Sequence, residues 1–179
     1  METKNLVLKD TELSDCKYFY KWEKDSEITK YLSIDNDVQY EDVVKTFVLA
    51  SNDSTKLMFT IISKAEKAPI GRVSISRISS RENSLDITKL YIGNKNFQGK
   101  GYGIELMEAL TRYAFFDLNM ERVTLDYYID NKRAELLYNK IGFKSEGIMR
   151  NATIKNGKYY DLKLMSMLRN EYFNMYKKV

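Results

Sequence analysis

The chain of 179 residues contains no histidine and a single cysteine, Cys16. Without histidine it cannot form a Ser-His-Asp or Cys-His catalytic centre, or a histidine-ligated zinc site. One cysteine permits no internal disulfide and no four-cysteine zinc site, so no metal site is predicted. Cys16, close to several aromatic residues, is predicted to be a small buried apolar side chain rather than a nucleophile. Any catalysis must therefore use carboxylates, tyrosines, lysines, hydroxyls or backbone groups.

Linkers and long apolar runs are also missing. The chain has one proline and neither a Gly/Ser-rich stretch nor an internal repeat, which predicts a single domain over residues 1–179. No apolar run approaches the ~20 residues of a membrane helix, and the first residues lack a signal-peptide pattern. A cytoplasmic protein without membrane association is therefore expected. The net charge of +4 comes from interleaved rather than clustered basic residues, which argues against nucleic-acid binding.

Three alternating glycines in residues 98–103 are the most informative feature that is present. They follow a strand-like segment and precede a long amphipathic helix. Such a loop turns tightly and directs several N–H groups into one space, and the helix adds the positive end of its dipole. The pattern predicts a phosphate or pyrophosphate site. Its spacing does not fit a Rossmann G-x-G-x-x-G, because the third glycine would fall on Ile104 or Leu106, and no P-loop run is present.

A second segment, residues 131–143, has the pattern of a short capped helix. Asn131 is a candidate N-cap, apolar residues share one face, and Gly142 provides a left-handed C-terminal stop. The glycine loop, Q-x-x-G-x-G, resembles the acyl-CoA loop of the GNAT family of N-acetyltransferases. The second segment is similar to the N-x-x-A-x-x-L-Y-x-K-x-G-F hallmark of that family. Further similarity, over nearly the whole chain, is to the branch with ribosomal-protein N-terminal and polyamine acetyltransferases.

The order of elements predicts an α/β (α+β) fold. Strands are expected at residues 5–8, 57–63, 70–78, 85–92 and 122–129, followed by a hairpin of residues 143–149 and 159–168 around Asn156-Gly157. Helices are expected at 13–32, 40–52, after the glycine loop and at 170–177. This order agrees with the GNAT fold that the resemblance implies, a mixed, mostly antiparallel sheet with helices on both faces. In that fold two central strands splay apart and admit the pantetheine arm of acyl-CoA.

The resemblance implies transfer of an acetyl group from acetyl-CoA to a primary amine without a covalent enzyme intermediate. It makes Tyr138 the acid that protonates the leaving thiolate. Asp86 is the expected base, with Glu82, water or backbone carbonyls as alternatives. The implied cofactor contacts come from the backbone of Leu90, Tyr91 and Ile92, from the loop residues Gln98, Gly99, Lys100, Gly101, Tyr102, Gly103 and Ile104, and from Asn131. Helix capping explains Asn131 equally well.

The acceptor is left open between a polyamine or other small amine and a protein N-terminus. Asp35, Asp37, Glu41 and Asp42 form an acidic cluster that would attract a polycation, but a solvated loop and helix start explain them too. A non-catalytic acyl-CoA-binding sensor or scaffold is the alternative function. Hydrolysis by a carboxylate pair lacks two carboxylates at a defined separation. The chain is expected to be a monomer or a homo-oligomer.

Overall fold

In the computed structural model, which describes residues 1–176, seven strands form one mixed sheet. The strands are β1 (Leu6–Asp10), β2 (Leu57–Ser63), β3 (Ala68–Ser79), β4 (Ser84–Ile92), β5 (Arg122–Tyr128), β6 (Lys144–Lys155) and β7 (Lys158–Leu168). The helices are α1 (Cys16–Glu23), α2 (Tyr40–Ser51), α3 (Tyr102–Arg112), α4 (Lys132–Ile141) and α5 (Arg169–Tyr176). The order across the sheet is β1-β2-β3-β4-β5-β7-β6. Neighbouring strands are antiparallel apart from β4 and β5, which run parallel. The predicted fold class is confirmed.

Apolar side chains are buried on both faces of the sheet. On one face, α3 and α4 pack through residues such as Leu106, Leu110 and Ile141 against strand residues such as Leu125. On the other face, α1 and α2 enclose a smaller cluster of Cys16, Phe19, Trp22, Val43 and Tyr91. Cys16 is fully buried, as its sequence context predicts. Within residues 1–176, no helix combines the length and the apolar character that crossing a membrane requires.

The parallel strands β4 and β5 separate partway along their length. They pair from Ser84 opposite Arg122 to Ile87 opposite Leu125, and both strands then continue without pairing to each other. The separation coincides with a β-bulge in β4. Ile87 pairs with Ile75 and Lys89 pairs with Ser74, so Thr88 is an extra residue. A bulge reverses the alternation of side chains. As a consequence Ile87 packs on the α3 face, whereas Tyr91 packs on the α1 face.

Helix α1 is shorter than predicted. The expected helix over residues 13–32 is wrong beyond Glu23, where turns replace it. Local hydrogen bonds of Asp25 compete with the helix: its carboxylate accepts from the Glu27 N–H and its carbonyl from the Thr29 hydroxyl. The turns bring the following segment over the place where β4 and β5 separate.

The other elements differ from prediction mainly at their ends. β1 lies at Leu6–Asp10 rather than residues 5–8, and β6 extends to Lys155 because it pairs with β7 up to the Asn156-Gly157 turn. After α3 the chain makes one π-helical turn, Tyr113–Asp117, before β5. The predicted tail helix is α5, Arg169–Tyr176, and residue 177 of that prediction lies outside the described residues.

Candidate active site

A cavity of about 420 Å³ opens where β4 and β5 separate. Its walls are the unpaired ends of these two strands, the first turns of α4, and the segment that follows α1. Leu90, Tyr91, Ile92, Gln98, Gly103, Asn131 and Tyr138, which the sequence singles out, all line it. A parted strand pair exposes backbone N–H and C=O groups that a bound molecule can pair with. The structure therefore brings both sequence motifs to the wall of one cavity.

The glycine loop has the conformation of an anion site. Gly99 and Gly101 have left-handed φ angles of 75° and 82°, and a Cβ atom at either position would meet nothing within 4 Å. Gly101 is the N-cap of α3, so the first N–H groups of the helix and the positive end of its dipole face this open space. Gly103 differs, because it lies within α3 and a Cβ there would contact Leu137 of α4. Open space beside helix N–H groups fits a pyrophosphate.

Side chains of the loop fix its position. The Gln98 side-chain amide donates to the Ile92 carbonyl at 2.8 Å and so ties the loop to the end of β4. The Lys100 ammonium lies over the Phe97 ring, and the Tyr102 ring stacks on the same ring. The Ile104 N–H donates to the Gly101 carbonyl at 3.0 Å, inside the first turn of α3. The donors that remain for an anion are therefore those of the loop and of the first two helix residues.

Tyr138 of α4 is buried on the wall of the cavity. Its ring packs against Tyr127 of β5 and Phe143. Burial, together with the nearby charge of Asp126, raises the pKa of the Tyr138 hydroxyl to about 12. The hydroxyl is therefore protonated at neutral pH, and it can donate a hydrogen bond or a proton into the cavity.

Two aspartates lie on the sheet at this point, and their environments differ. Asp86 of β4 is buried outside the cavity lining, where it forms an ion pair with Arg77 and accepts a hydrogen bond from Thr124. Asp126 of β5 lines the cavity. Desolvation raises the pKa of Asp126, an effect that the charge of Arg77 opposes. The geometry favours Asp126 over Asp86 for proton transfer in the cavity. Glu82, the looser alternative, lies on an exposed turn and bonds to Ser79.

A buried ionic cluster adjoins the cavity on the α1 face of the sheet. Glu23, the last residue of α1, is 4% exposed, and its Oε1 accepts from the Arg72 guanidinium at 2.9 Å. The same oxygen accepts from the Lys89 ammonium at 3.3 Å and the Tyr91 hydroxyl at 3.0 Å. Desolvation lowers the pKa of Lys89 and raises that of Tyr91. We call these four residues the Glu23 cluster.

The acidic residues between positions 35 and 42, in the α1–α2 connection and at the start of α2, do not line the cavity. Asp35 accepts from the Asn156 N–H and so joins this loop to the β6–β7 turn. Asp42 accepts from the Gln39 N–H in the capping box of α2. Asp37 and Glu41 are exposed, and neither they nor Asp35 line the cavity. Asn131 does line it, while its side chain also caps α4 by accepting from the Ala134 N–H.

Sequence reasoning missed Asp126, Lys89 and the other charged members of the Glu23 cluster. Asp126 carries a signal, since it is the one carboxylate inside the apolar stretch Val123–Tyr128 just before the second motif. The charged residues Glu23, Arg72 and Lys89 are far apart in the chain. Only the pairing of β3 with β4 and the packing of α1 on both bring them together.

Comparison with known proteins identifies the family of the chain. The profile of the family described as Acetyltransferase (GNAT) domain matches residues 5–144. An uncharacterised N-acetyltransferase of Bacillus licheniformis, p20, is 29% identical over 95% of this chain and 96% of its own length. A spermidine N(1)-acetyltransferase of Vibrio cholerae is 25% identical over 94% of this chain and 96% of its own.

Solved structures lead to the same family. The crystal structure of spermidine N-acetyltransferase from Vibrio cholerae in complex with CoA and spermine superposes with a TM-score of 0.84. The superposition covers 95% of this chain and 99% of the Vibrio cholerae chain, and the two sequences are 25% identical. Together with the match over residues 5–144, this shows that the chain belongs to the GNAT acetyltransferases and is an N-acetyltransferase with acetyl-CoA as its acyl donor.

Proposed function

We propose that the protein transfers the acetyl group of acetyl-CoA directly to a primary amine, with Asp126 as base and Tyr138 as acid. One observation carries the proposal: both side chains line the cavity that opens where β4 and β5 separate. Acetyl-CoA supplies the activated acyl group as a thioester. The remaining chemistry is proton transfer, which this chain can perform without histidine.

In this proposal acetyl-CoA, the acyl donor, lies between β4 and β5 where the two strands separate. Backbone groups of Leu90, Tyr91 and Ile92 pair with the pantetheine arm, since this edge of β4 has no strand partner beyond Ile87. The pyrophosphate lies over Gly99 and Gly101, where a Cβ would meet open space. The loop N–H groups and those of Tyr102 and Gly103 hold it, whereas the Ile104 N–H contributes less because it donates to the Gly101 carbonyl. Gln98 fixes the loop, and Lys100 offsets phosphate charge.

Two proton transfers follow from the chemistry. An aliphatic amine with a pKa near ~10 is mostly protonated at neutral pH and must lose a proton before it attacks. Asp126, on the β5 side of the cavity, accepts that proton, directly or through a water. The departing thiolate needs a donor, and Tyr138 supplies one because its hydroxyl is protonated at neutral pH. Strand N–H groups at the parted end of β4 stabilise the developing oxyanion.

The acceptor classes to compare are polyamines, other small amines and peptide N-termini. Similarity to spermidine acetyltransferases supports a polyamine. Against it, the acidic cluster that the sequence singles out does not line the cavity: Asp35, Asp37, Glu41 and Asp42.

Release of free thiol from acetyl-CoA by the purified protein, measured against all three acceptor classes, tests the proposal. Turnover with at least one amine, lowered at least about 10²-fold in Tyr138→Phe, is the expected result. Binding of acetyl-CoA without turnover on any acceptor would overturn it and favour an acyl-CoA sensor.

A further inference from the structure

The Glu23 cluster carries more positive than negative charge. It contains two cations, Arg72 and Lys89, and one carboxylate, and the Tyr91 hydroxyl adds a third donor to the same oxygen. Arg72 is 1% exposed, and its Nε has no hydrogen-bond partner among the described residues. Burying a charge without a full complement of partners is costly. The cluster therefore carries a positive charge that one more anionic group would balance.

Lys89 is the charged member of the cluster that reaches the cavity. Lys89 and Tyr91 line it, whereas Glu23 and Arg72 lie behind them. The Lys89 side chain is 22% exposed, compared with 1% for Arg72. Lys89 directly follows the bulged residue Thr88, at the level where β4 and β5 part. Lys89 thus lies on the cavity wall at the level of the gap that receives acetyl-CoA in the proposed function.

The other charged groups of the cavity do not cancel Lys89. Glu27 is exposed and bonds to Lys95, and Lys30 is exposed over the Tyr31 ring. Asp126 lies on β5, across the gap from β4. Arg133 of α4 also lines the cavity and is exposed. The cavity consequently presents cations from β4 and α4 and a carboxylate from β5. That arrangement suits an acceptor with opposite charges at its two ends.

We propose that Lys89 is a specificity-determining residue that selects a primary amine which also carries an anionic group, a carboxylate or a phosphate. The anionic group pairs with the Lys89 ammonium and completes the Glu23 cluster, while the amine faces Asp126. A polyamine would instead bring a second ammonium towards Lys89, where like charges repel. This inference rests on the proposed transfer to an amine and narrows its acceptor.

The test uses acceptors that differ in one terminal group. 4-Aminobutyrate, n-butylamine and putrescine present a carboxylate, a methyl group and an ammonium on similar chains, and 3-aminopropylphosphonate presents a phosphonate. Homologues of each acceptor with one methylene group fewer, and with one or two more, cover the range of possible distances between the amine and its terminal group. The wild type is expected to favour an anionic acceptor over its methyl analogue in kcat/KM by about 10- to 100-fold, the range for a hydrogen bond to a charged group. The carboxylate and phosphonate arms identify which anion is preferred.

Substitution of Lys89 separates recognition from folding. Lys89→Met should abolish the preference for anionic acceptors and leave the KM for acetyl-CoA unchanged, while Lys89→Arg should retain most of the preference. Folding should survive, because Glu23 keeps Arg72 and Tyr91 as partners. Lys21→Met, which removes an exposed lysine from α1, controls for net charge and should keep the preference.

The same acceptors are also titrated calorimetrically into the protein saturated with CoA, so that recognition is measured independently of turnover. Equal affinity for 4-aminobutyrate and n-butylamine homologues, or a preference for putrescine, would overturn the assignment of Lys89. An unchanged preference in Lys89→Met would overturn it as well. Anion-selective binding without thiol release would retain the assignment and reject the proposed transfer instead.

Discussion

Asp126 and Tyr138 line one cavity from adjoining elements, β5 and α4, and burial together with the charge of the aspartate raises the pKa of the tyrosine. Tyr138 is buried, whereas Asp126 is exposed on the wall of the cavity. Desolvation raises the pKa of both groups: it makes the Asp126 carboxylate a stronger base, and the Tyr138 hydroxyl stays protonated at neutral pH. Groups whose environments separate their pKa values in this way divide between the roles of base and acid. In the proposed reaction Asp126 therefore accepts the proton of the amine, and Tyr138 donates a proton to the departing thiolate.

Asp126→Asn should lower kcat/KM for the amine by about 10²-fold or more, the usual contribution of a general base. The wild-type rate should fall as pH drops through the pKa of Asp126, since the base acts only when ionised. Because that pKa is raised, this acidic limb lies above the range of an ordinary aspartate. Steady-state rates measured across pH test both statements.

Asp86→Asn is the matched control for Asp126→Asn. Its carboxylate is tied to Arg77 and Thr124 outside the cavity lining, so the variant should keep most of the activity and the same acidic limb. Thermal unfolding of both variants separates loss of activity from loss of structure. If Asp86→Asn lost the activity and Asp126→Asn kept it, the base would be Asp86, as the sequence predicts.

Tyr138→Phe should lower kcat by about 10²- to 10⁴-fold with little change in the KM for acetyl-CoA. The phenyl ring preserves packing against Tyr127 and Phe143, and only the hydroxyl is lost. Tyr127→Phe keeps the neighbouring ring in the same way and should have a much smaller effect. A Tyr138→Phe enzyme with the full rate at every pH would remove Tyr138 from the acid role.

The sequence predicts the half of the site that is built from contiguous segments. Residues 98–103 and 131–143 each fold locally, through glycine conformation and helix capping, so their spacing alone indicates where they lie. Their proposed chemistry is also local, since it would use the backbone N–H groups of one turn and one tyrosine on one helix face. Predicting these two segments therefore requires no information about how the strands pair in the sheet.

The other half depends on contacts between distant segments. The bulge at Thr88 determines which side chains of β4 face α1. Its trace in the sequence is a change of phase in the apolar alternation, from Leu85 and Ile87 to Leu90 and Ile92. Glu23 becomes the carboxylate of a buried cluster only because α1 ends there and packs against β3 and β4. The acidic residues 35–42, in contrast, are close in sequence yet serve the β6–β7 turn and a helix cap. Their proximity along the chain therefore does not bring them to the cavity.

Gly101→Glu should abolish acetyl-CoA binding, because it adds bulk and negative charge where the pyrophosphate would lie. Gly157→Glu is the control: its φ of 74° is close to the 82° of Gly101, and a Cβ there also meets open space. Both variants carry similar backbone strain, about 1–2 kcal/mol for a non-glycine residue in this region. Calorimetric titration with CoA should therefore separate them. Normal CoA affinity in folded Gly101→Glu would contradict the placement of the pyrophosphate.

Glu23→Gln should destabilise the fold by about 3 kcal/mol, the cost of removing one partner from a buried ion pair. It leaves the buried Arg72 and the half-buried Lys89 close together without a carboxylate. Lys89→Met should cost much less, since one cation and one carboxylate remain. Chemical denaturation at neutral pH measures both. Equal losses in the two variants would show that the charge balance of the cluster does not govern its stability.

Glu146 of β6 should make stability depend on pH in the acid range. Arg122 and Ser166 hydrogen-bond its carboxylate and lower its pKa from 4.5 to about 2. A carboxyl group whose folded pKa is depressed stabilises the fold above its unfolded pKa, and this contribution is lost as pH falls through the window between the two values. Glu146→Gln should therefore unfold more easily than the wild type at pH 6, and the stabilities of the two proteins should converge near pH 2.

Because the side chains of Arg122 and Glu146 are about one third exposed, added salt should narrow the difference in stability between the two proteins. Arg122→Met in the Glu146→Gln background removes the partner and should add no further pH dependence. A constant gap between wild type and Glu146→Gln from pH 6 to pH 2 would show that this ion pair is not linked to proton binding.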